Sequence, residues 1–429
     1  MKSVLLLSLL LPLLGIAQQP LKTATPAAAH LSAERLARID AVINDYIGKG
    51  YVNGVTAMIV RDGKIAYNKA FGYDNIDKKT PERTDGIFRI ASQTKAITSV
   101  AVMMLFEEGK FQLNDPVSKY IPEFAHPRVI KTFNLKDTTW TTVPATREIT
   151  IRDLLTHTSG LGYAQIGGEE ENAMYAKAGV IGGIGVDNMV LADKMKILGK
   201  LPLLHQPGEK WTYGLNTDVL GYLVEVLSGK PLDQFMQERI FMPLGMKDTY
   251  FYLPENKRSR LVTLYTEDGK TKKIAVMPDT ITLTGERFYS DYPKRNGTYF
   301  SGGGGLSSTM YDYAIFLQMM LNGGTYNGKR LLGRNTVRIM TTAQTDENLP
   351  GWWNTPDSFG LGFQVTTLKG SAKSLLPEGT FQWGGMFSTT YWVDPKEKII
   401  GLIYTNIWPN SHGELANKYK TLVYQAIED

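Results

Sequence analysis

The sequence predicts an α+β fold: an antiparallel sheet built from the N- and C-terminal segments and flanked by helices, with a mostly helical lobe inserted between them. Two observations predict it. An amphipathic helix near the N-terminus is followed by a tight antiparallel hairpin, not by a parallel βαβ unit. Strand patterns then fade through the middle of the chain and return only near the C-terminus. The expected division is 31–109 with 300–429 for the sheet domain and 110–299 for the helical lobe with its substrate loops.

Residues 1–17 read as a secretory signal peptide. Lys2 supplies the positive start, 4–14 is an apolar stretch too short for a comfortable membrane span, and Gly15-Ile16-Ala17 places small residues at a cleavage site. A periplasmic or secreted bacterial protein with no stable membrane span after cleavage is expected. Residues 18–30, rich in Pro, Ala and Thr, read as a flexible lead-in. A helix is predicted over 31–49, with Ser32 as N-cap and Leu36, Ile39, Val42 and Ile43 on one face. Strands follow at 55–60 and 64–71, joined by Arg61-Asp62-Gly63, since Asp-Gly tolerates positive φ. A second helix is predicted over 92–108. Ile97, Val100, Ala101, Met104 and Leu105 recur at helical spacing, and Gly109 suits the position past its end. Within 110–299 two loops read as mobile, the Pro- and Thr-rich 124–149 and the glycine-rich 162–185. Strands return at 381–393 and 399–405, and an amphipathic helix over 412–427 closes the chain.

Composition removes several function classes. Apolar residues at 43% and charged residues at 21% describe an ordinary globular chain. A net charge of +5 over 429 residues, without a long Lys/Arg run, makes no nucleic-acid patch. The absence of cysteine excludes disulfides, thiolate catalysis, Cys-ligated zinc and iron–sulfur clusters. The 5 histidines are scattered without an H-E-x-x-H pattern, so no metal site is expected. Gly302 to Gly305 lacks the Lys-Ser/Thr of a P-loop and reads as a structural turn, and no G-x-S-x-G elbow occurs.

Three segments can carry chemistry. Ser92-Gln93-Thr94-Lys95 puts Ser and Lys three apart at a helix start, with Cβ atoms roughly 5–6 Å apart. The Ser backbone N–H there is free to bind an oxyanion, and an apolar setting lets the Lys act on a neighbouring hydroxyl. The same pattern also describes an N-cap followed by a solvated Lys. Tyr213 stands before an amphipathic helix and can supply a phenol, or simply pack that helix. Trp383-Gly384-Gly385-Met386 has two glycines inside a strand, which signals a close approach by a ligand or backbone, or a bulge.

Taken in order, these stretches resemble the serine β-lactamase-like family of class C β-lactamases, DD-peptidases and family VIII carboxylesterases. The resemblance rests on Ile87 through Lys95, Ile149 through Leu161, Pro207-Gly208 through Gly221, Ile240 through Met246, Gly302 through Ser308 and Trp383-Gly384-Gly385. It covers roughly residues 35 to 425 and implies the β-lactamase/transpeptidase-like fold. It also implies roles: Ser92 as acylated nucleophile, Lys95 and Tyr213 as its activators, and the N–H groups of Ser92 and Met386 as oxyanion hole. Trp383, Gly384, Gly385 and Asn216 would border the substrate. No cofactor or metal is implied, and the substrate would be a small ester, amide or lactam. Two departures point to the carboxylesterase branch. Leu215 stands where the lactamase branch has the Asn of Tyr-x-Asn, with Asn216 one place late. Trp383 replaces the Lys or His that meets a substrate carboxylate. The implied activity is an exported serine hydrolase of carboxylesterase type. The alternatives are β-lactamase or DD-peptidase activity, or a non-catalytic penicillin- or peptidoglycan-binding protein.

Overall fold

A computed structural model describes residues 20–428 apart from 186–188, 284–285, 347 and 352–354. The signal-peptide reading of 1–17 falls outside the described residues. Helix α1 (Ala33–Gly48) begins at Ser32, whose hydroxyl accepts a hydrogen bond from the Arg35 N–H. Leu36, Ile39 and Ile43 form its buried face. Strands β1 (Gly54–Arg61) and β2 (Lys64–Asn75) pair antiparallel. Their turn holds Asp62 at φ 51° and Gly63 at φ 72°, the left-handed pair that a two-residue hairpin needs.

Strands β3 (Phe381–Gly385), β4 (Thr389–Asp394) and β5 (Ile399–Tyr404) complete the core of the sheet. Its order is Lys22–Thr23, β2, β1, β5, β4, β3, Gln364–Val365, Ser358–Phe359. The β1–β5 pair, near its centre, joins the two ends of the chain. Both faces are covered. Val55, Ala57, Ile59, Ile399 and Ile403 turn toward α1 and the C-terminal helix Glu414–Tyr424. Met58, Val60, Ile400, Leu402 and Tyr404 turn toward helices α2 (Thr94–Glu107) and Met310–Leu321.

The structure departs from the sequence expectations in several places. Helix α2 does not have one apolar face; it is buried from Thr94 to Leu105, because it runs between the sheet and the lobe. Its threonine hydroxyls are satisfied inside the protein, Thr98 Oγ1 donating to the Gly302 carbonyl at 2.7 Å and Thr94 Oγ1 accepting from the Leu306 N–H at 3.1 Å. The lead-in over 18–30 is tied down from Pro20 onward. Lys22–Thr23 pairs in parallel with Lys64 and Ile65, and the buried Leu21 gives its N–H to the Tyr326 hydroxyl. The stretch 381–393 is two strands rather than one, with Met386-Phe387-Ser388 as the turn. The loop 124–149 holds an antiparallel hairpin, Arg128–Asn134 with Thr139–Pro144, built on β-branched Thr and Val. The loop 162–185 contains the helix Glu169–Ala178.

One buried carboxyl makes stability depend on pH. Glu82, on the segment leading to Ser92, is 8% exposed, and its Oε2 has no hydrogen-bond partner. Burial raises its pKa from 4.5 to about 7, against a bond from the Arg83 N–H. The folded protein therefore holds this proton through a range where the unfolded chain has released it. Stability falls as pH rises from near 4.5 through about 7, and the full penalty, on the order of 3 kcal/mol, applies above that. Glu82→Gln is expected to raise the melting temperature at pH 8.5 and to leave it nearly unchanged at pH 5. Calorimetry at the two values checks this; equal shifts at both would rule out titration of Glu82 as the cause.

Candidate active site

The chain leaves the strand segment Phe88–Arg89 and turns into α2 through a 3₁₀ turn over Ala91–Gln93. Ala91 sits at φ 42°, a left-handed conformation that costs a non-glycine residue about 1 kcal/mol or more. This bend sets Ser92 at the mouth of the helix, with Lys95 one turn inside it. Lys95 is 1% exposed. Its Nζ donates to three acceptors: Ser92 Oγ at 3.3 Å, Tyr163 Oη at 2.8 Å and the Gly303 carbonyl at 2.7 Å. An ammonium has three protons, and each meets an acceptor. Tyr213 Oη lies 2.7 Å from Ser92 Oγ, and its ring centroid is 4.6 Å from Lys95 Nζ. Ser92, Lys95 and Tyr213 are thus brought together.

Aromatic rings hold Tyr213. Trp211 stacks on it at 5.8 Å and 10°, and His157, Tyr163 and Trp383 contact it at 5.1, 5.2 and 5.7 Å. Trp383 is 7% exposed, so most of its face packs on Tyr213 and Phe359, with the rest open to a cavity. Burial, and secondarily the Lys95 charge, pushes the His157 pKa well down, so His157 is a neutral buttress here. Burial pushes the Tyr163 phenol well up, and Tyr213 and Asp218 push it the same way. Tyr163 therefore stays a neutral hydroxyl facing Lys95.

Asn216, expected at the substrate, turns elsewhere. It is fully buried, its Nδ2 donates to His157 Nδ1 at 2.9 Å, and its Oδ1 accepts from the Ser159 hydroxyl. One residue of offset at the start of helix Asn216–Ser228 sends the amide to the helix's inner side. Gly385 explains the split of the β3–β4 region. A Cβ there would lie 2.3 Å from the Ile90 carbonyl oxygen and from Thr389 Oγ1. Only glycine lets β3 end against the Ser92 turn, and this brings Met386 beside Ser92.

Two cavities meet at Ser92. One, about 360 Å³, is lined by Ile184, Leu283, Phe288, Met386 and Trp408 among others, with Tyr163 and Gly303 toward Lys95. The other, about 560 Å³, is lined by Tyr213, Gln364, Gln382, Trp383, Thr390 and Lys420 among others. Gly384, Gly385 and Met386 all border the second cavity, and Met386 borders both.

Sequence reasoning missed Tyr163 and the Gly303 carbonyl. Tyr163 lies two residues past the Thr156-His157-Thr158-Ser159-Gly160-Leu161 stretch, which was the signal that could have found it. Gly303 lies in the run read as a structural turn. Its backbone oxygen leaves no trace in side-chain chemistry.

The family model described as Beta-lactamase matches residues 39–425. Esterase EstB of Burkholderia gladioli is 31% identical over 93% of this chain and 98% of its own. An Escherichia coli relative, named provisionally as a D-alanyl-D-alanine carboxypeptidase, is 28% identical over 94% of this chain and 89% of its own. Among solved structures, EstCE1, described as a hydrolase with promiscuous acyltransferase activity, superposes with a TM-score of 0.76. It is 27% identical and covers 91% of this chain and 99% of its own.

Two substitutions separate the roles read here. Asn216→Ala leaves His157 and Ser159 short of a partner in the interior. It is expected to cost about 1–3 kcal/mol of stability while Ser92 labelling by a fluorophosphonate stays within several-fold. Gly385→Ala forces its new methyl group into the Ile90 carbonyl and is expected to suppress that labelling. Melting curves and intact-mass labelling rates check both; loss of labelling in Asn216→Ala would return the amide to the substrate site.

Proposed function

Since this chain belongs to the Beta-lactamase family and is a serine hydrolase, we propose that it is an exported carboxylesterase working through an acyl-enzyme on Ser92. The observation that carries the reading is the contact of Tyr213 Oη with Ser92 Oγ at 2.7 Å, beside a Lys95 whose protons are all engaged. With Lys95 held as a donor, Tyr213 is the group placed to move the serine proton. It takes the proton as Oγ attacks the carbonyl carbon. The backbone N–H groups of Ser92 and Met386 receive the developing oxyanion. Tyr213 then gives the proton to the departing alcohol, and a water molecule repeats the sequence in deacylation.

Ester preference is supported by Trp383, which presents an aromatic ring where a cation or hydroxyl would meet a lactam carboxylate. The apolar cavity beside Ser92 supports it too. Export rests on the sequence of residues 1–17; among the described residues no helix is long and apolar enough to cross a membrane.

Ser92→Ala is expected to abolish turnover with little change in melting temperature. Tyr213→Phe and Lys95→Ala are each expected to cost about 10²–10⁴-fold in kcat, and the double variant little more than either, because the residues act as a unit. Short-acyl p-nitrophenyl esters are expected to exceed a chromogenic cephalosporin at least about a hundredfold in kcat/KM, roughly 2.7 kcal/mol in transition-state binding. Parallel assays of an ester, a cephalosporin and a D-alanyl-D-alanine peptide decide the matter. Preference for either of the last two would replace the esterase reading and keep the nucleophile.

A further inference from the structure

The two cavities at Ser92 differ in chemistry, and the position of Tyr213 tells them apart. Tyr213 lines the larger cavity and not the smaller one. The alcohol oxygen must take its proton from Tyr213, so it must depart on that side. The carbonyl carbon is fixed at Ser92 Oγ and its oxygen between the Ser92 and Met386 N–H groups. The remaining substituent of the carbonyl then points the other way, into the smaller cavity.

Among the described residues, no charged side chain lines the smaller cavity. Its walls include Ile184, Leu283, Phe288, Met386 and Trp408, with Gln165 and the Tyr163 hydroxyl as polar exceptions. A charged acyl group would be buried there without a partner, which is costly. The larger cavity carries Gln364, Gln382, Thr390 and Asn417, and Lys420 as the one basic side chain among its described lining residues. Lys420 Nζ donates to Gln382 Oε1 at 2.7 Å. We infer that the enzyme sorts its ester across Ser92, taking an uncharged short or medium aliphatic acyl group in the smaller cavity and a polar, polyol-like alcohol in the larger. The inference rests on the esterase reading and names its substrate class.

The chemistry balances on these sites. Ser92 Oγ bonds to the carbonyl carbon as its proton passes to Tyr213. The carbon–oxygen bond to the alcohol breaks, and the alcohol leaves from the larger cavity with that proton. Water enters by the vacated side, yields a proton to Tyr213 and its oxygen to the acyl carbon. The acid is released, and Ser92 regains the proton from Tyr213. Deacylation thus occurs after the alcohol is gone, and groups that contact only the alcohol cannot influence it.

That asymmetry supplies the test. The probes are p-nitrophenyl esters from acetyl to octanoyl, and the butanoyl monoesters of glycerol and of 1-butanol. In the parent enzyme, kcat/KM is expected to rise by about fourfold per added methylene until the smaller cavity is full, as for burial of about 0.8 kcal/mol per methylene. Leu283→Trp, at a half-buried wall position, is expected to shorten the preferred acyl chain and to change both acylation and deacylation rates. Lys420→Met combined with Thr390→Val is expected to lower the glycerol-to-butanol preference about tenfold. The deacylation rate of the butanoyl-enzyme, followed by intact mass, should then stay within about twofold. The sorting is overturned if Leu283→Trp changes the alcohol preference instead. A changed acyl-length profile or deacylation rate in the Lys420/Thr390 variant overturns it equally. If no ester forms an adduct on Ser92, the esterase reading falls, and this inference with it.

Discussion

The structure is organised around one buried ammonium. An unpaired charge in the interior costs several kcal/mol, so Lys95 is tolerable only where acceptors are already in place. Its three acceptors come from three parts of the chain: Ser92 from the start of α2, Tyr163 from the lobe, and the Gly303 carbonyl from the segment that returns from the lobe to the sheet domain. Only Ser92 is local to Lys95 in sequence; Tyr163 and Gly303 reach it from distant parts of the chain. The sheet, the helix crossing it and the lobe meet where those acceptors converge, and Ser92 stands at that junction. One of the contacts that stabilise Lys95 also holds the Ser92 hydroxyl.

A second constraint keeps the phenol of Tyr213 within reach of Ser92. Trp211, His157, Tyr163 and Trp383 surround its ring, and three of them lie on segments distant from it in sequence. His157 is itself held by Asn216, whose amide also takes the Ser159 hydroxyl. Residues that look like candidates for chemistry from their type alone, His157 and Asn216, instead set the angle of a ring. Trp383 combines the two duties, packing the phenol from one side while leaving an edge to the cavity.

Much of this was legible in the sequence wherever a local rule decides the outcome. The Asp62-Gly63 turn, the Ser32 cap and the Ser92–Lys95 spacing depend on residues within a few positions of each other. Tyr213 could be picked out because the order of several modest motifs pointed to it. What could not be read depends on distant partners. The ends of β3 and β4 are set by the Ile90 carbonyl pressing on Gly385, a contact across almost three hundred residues. The order of the lead-in depends on Tyr326 and on an edge of β2. The full burial of α2 depends on a lobe whose position no periodicity encodes. The hairpin over 128–144 was hidden by its threonines and by Pro127 and Pro144, which flank or end it; these read equally as loop.

The central pairing of β1 with β5 bears on how the molecule comes into being. Residues 54–61 find their partner only at 399–404. Contacts so far apart in sequence form slowly, because the long intervening loop must close before the pairing stabilises anything. During synthesis β1 and β2 are complete long before β5 exists. The edge of β1, apolar on both faces, stays open for most of that time, a template for pairing with the wrong chain. The helical lobe can form local structure early, but the sheet against which α2 is buried cannot. The site around Ser92 is therefore assembled among the last features of the fold, and a chain cut short before residue 399 would carry Ser92, Lys95 and Tyr213 without the strand that pairs with β1 at the centre of the sheet.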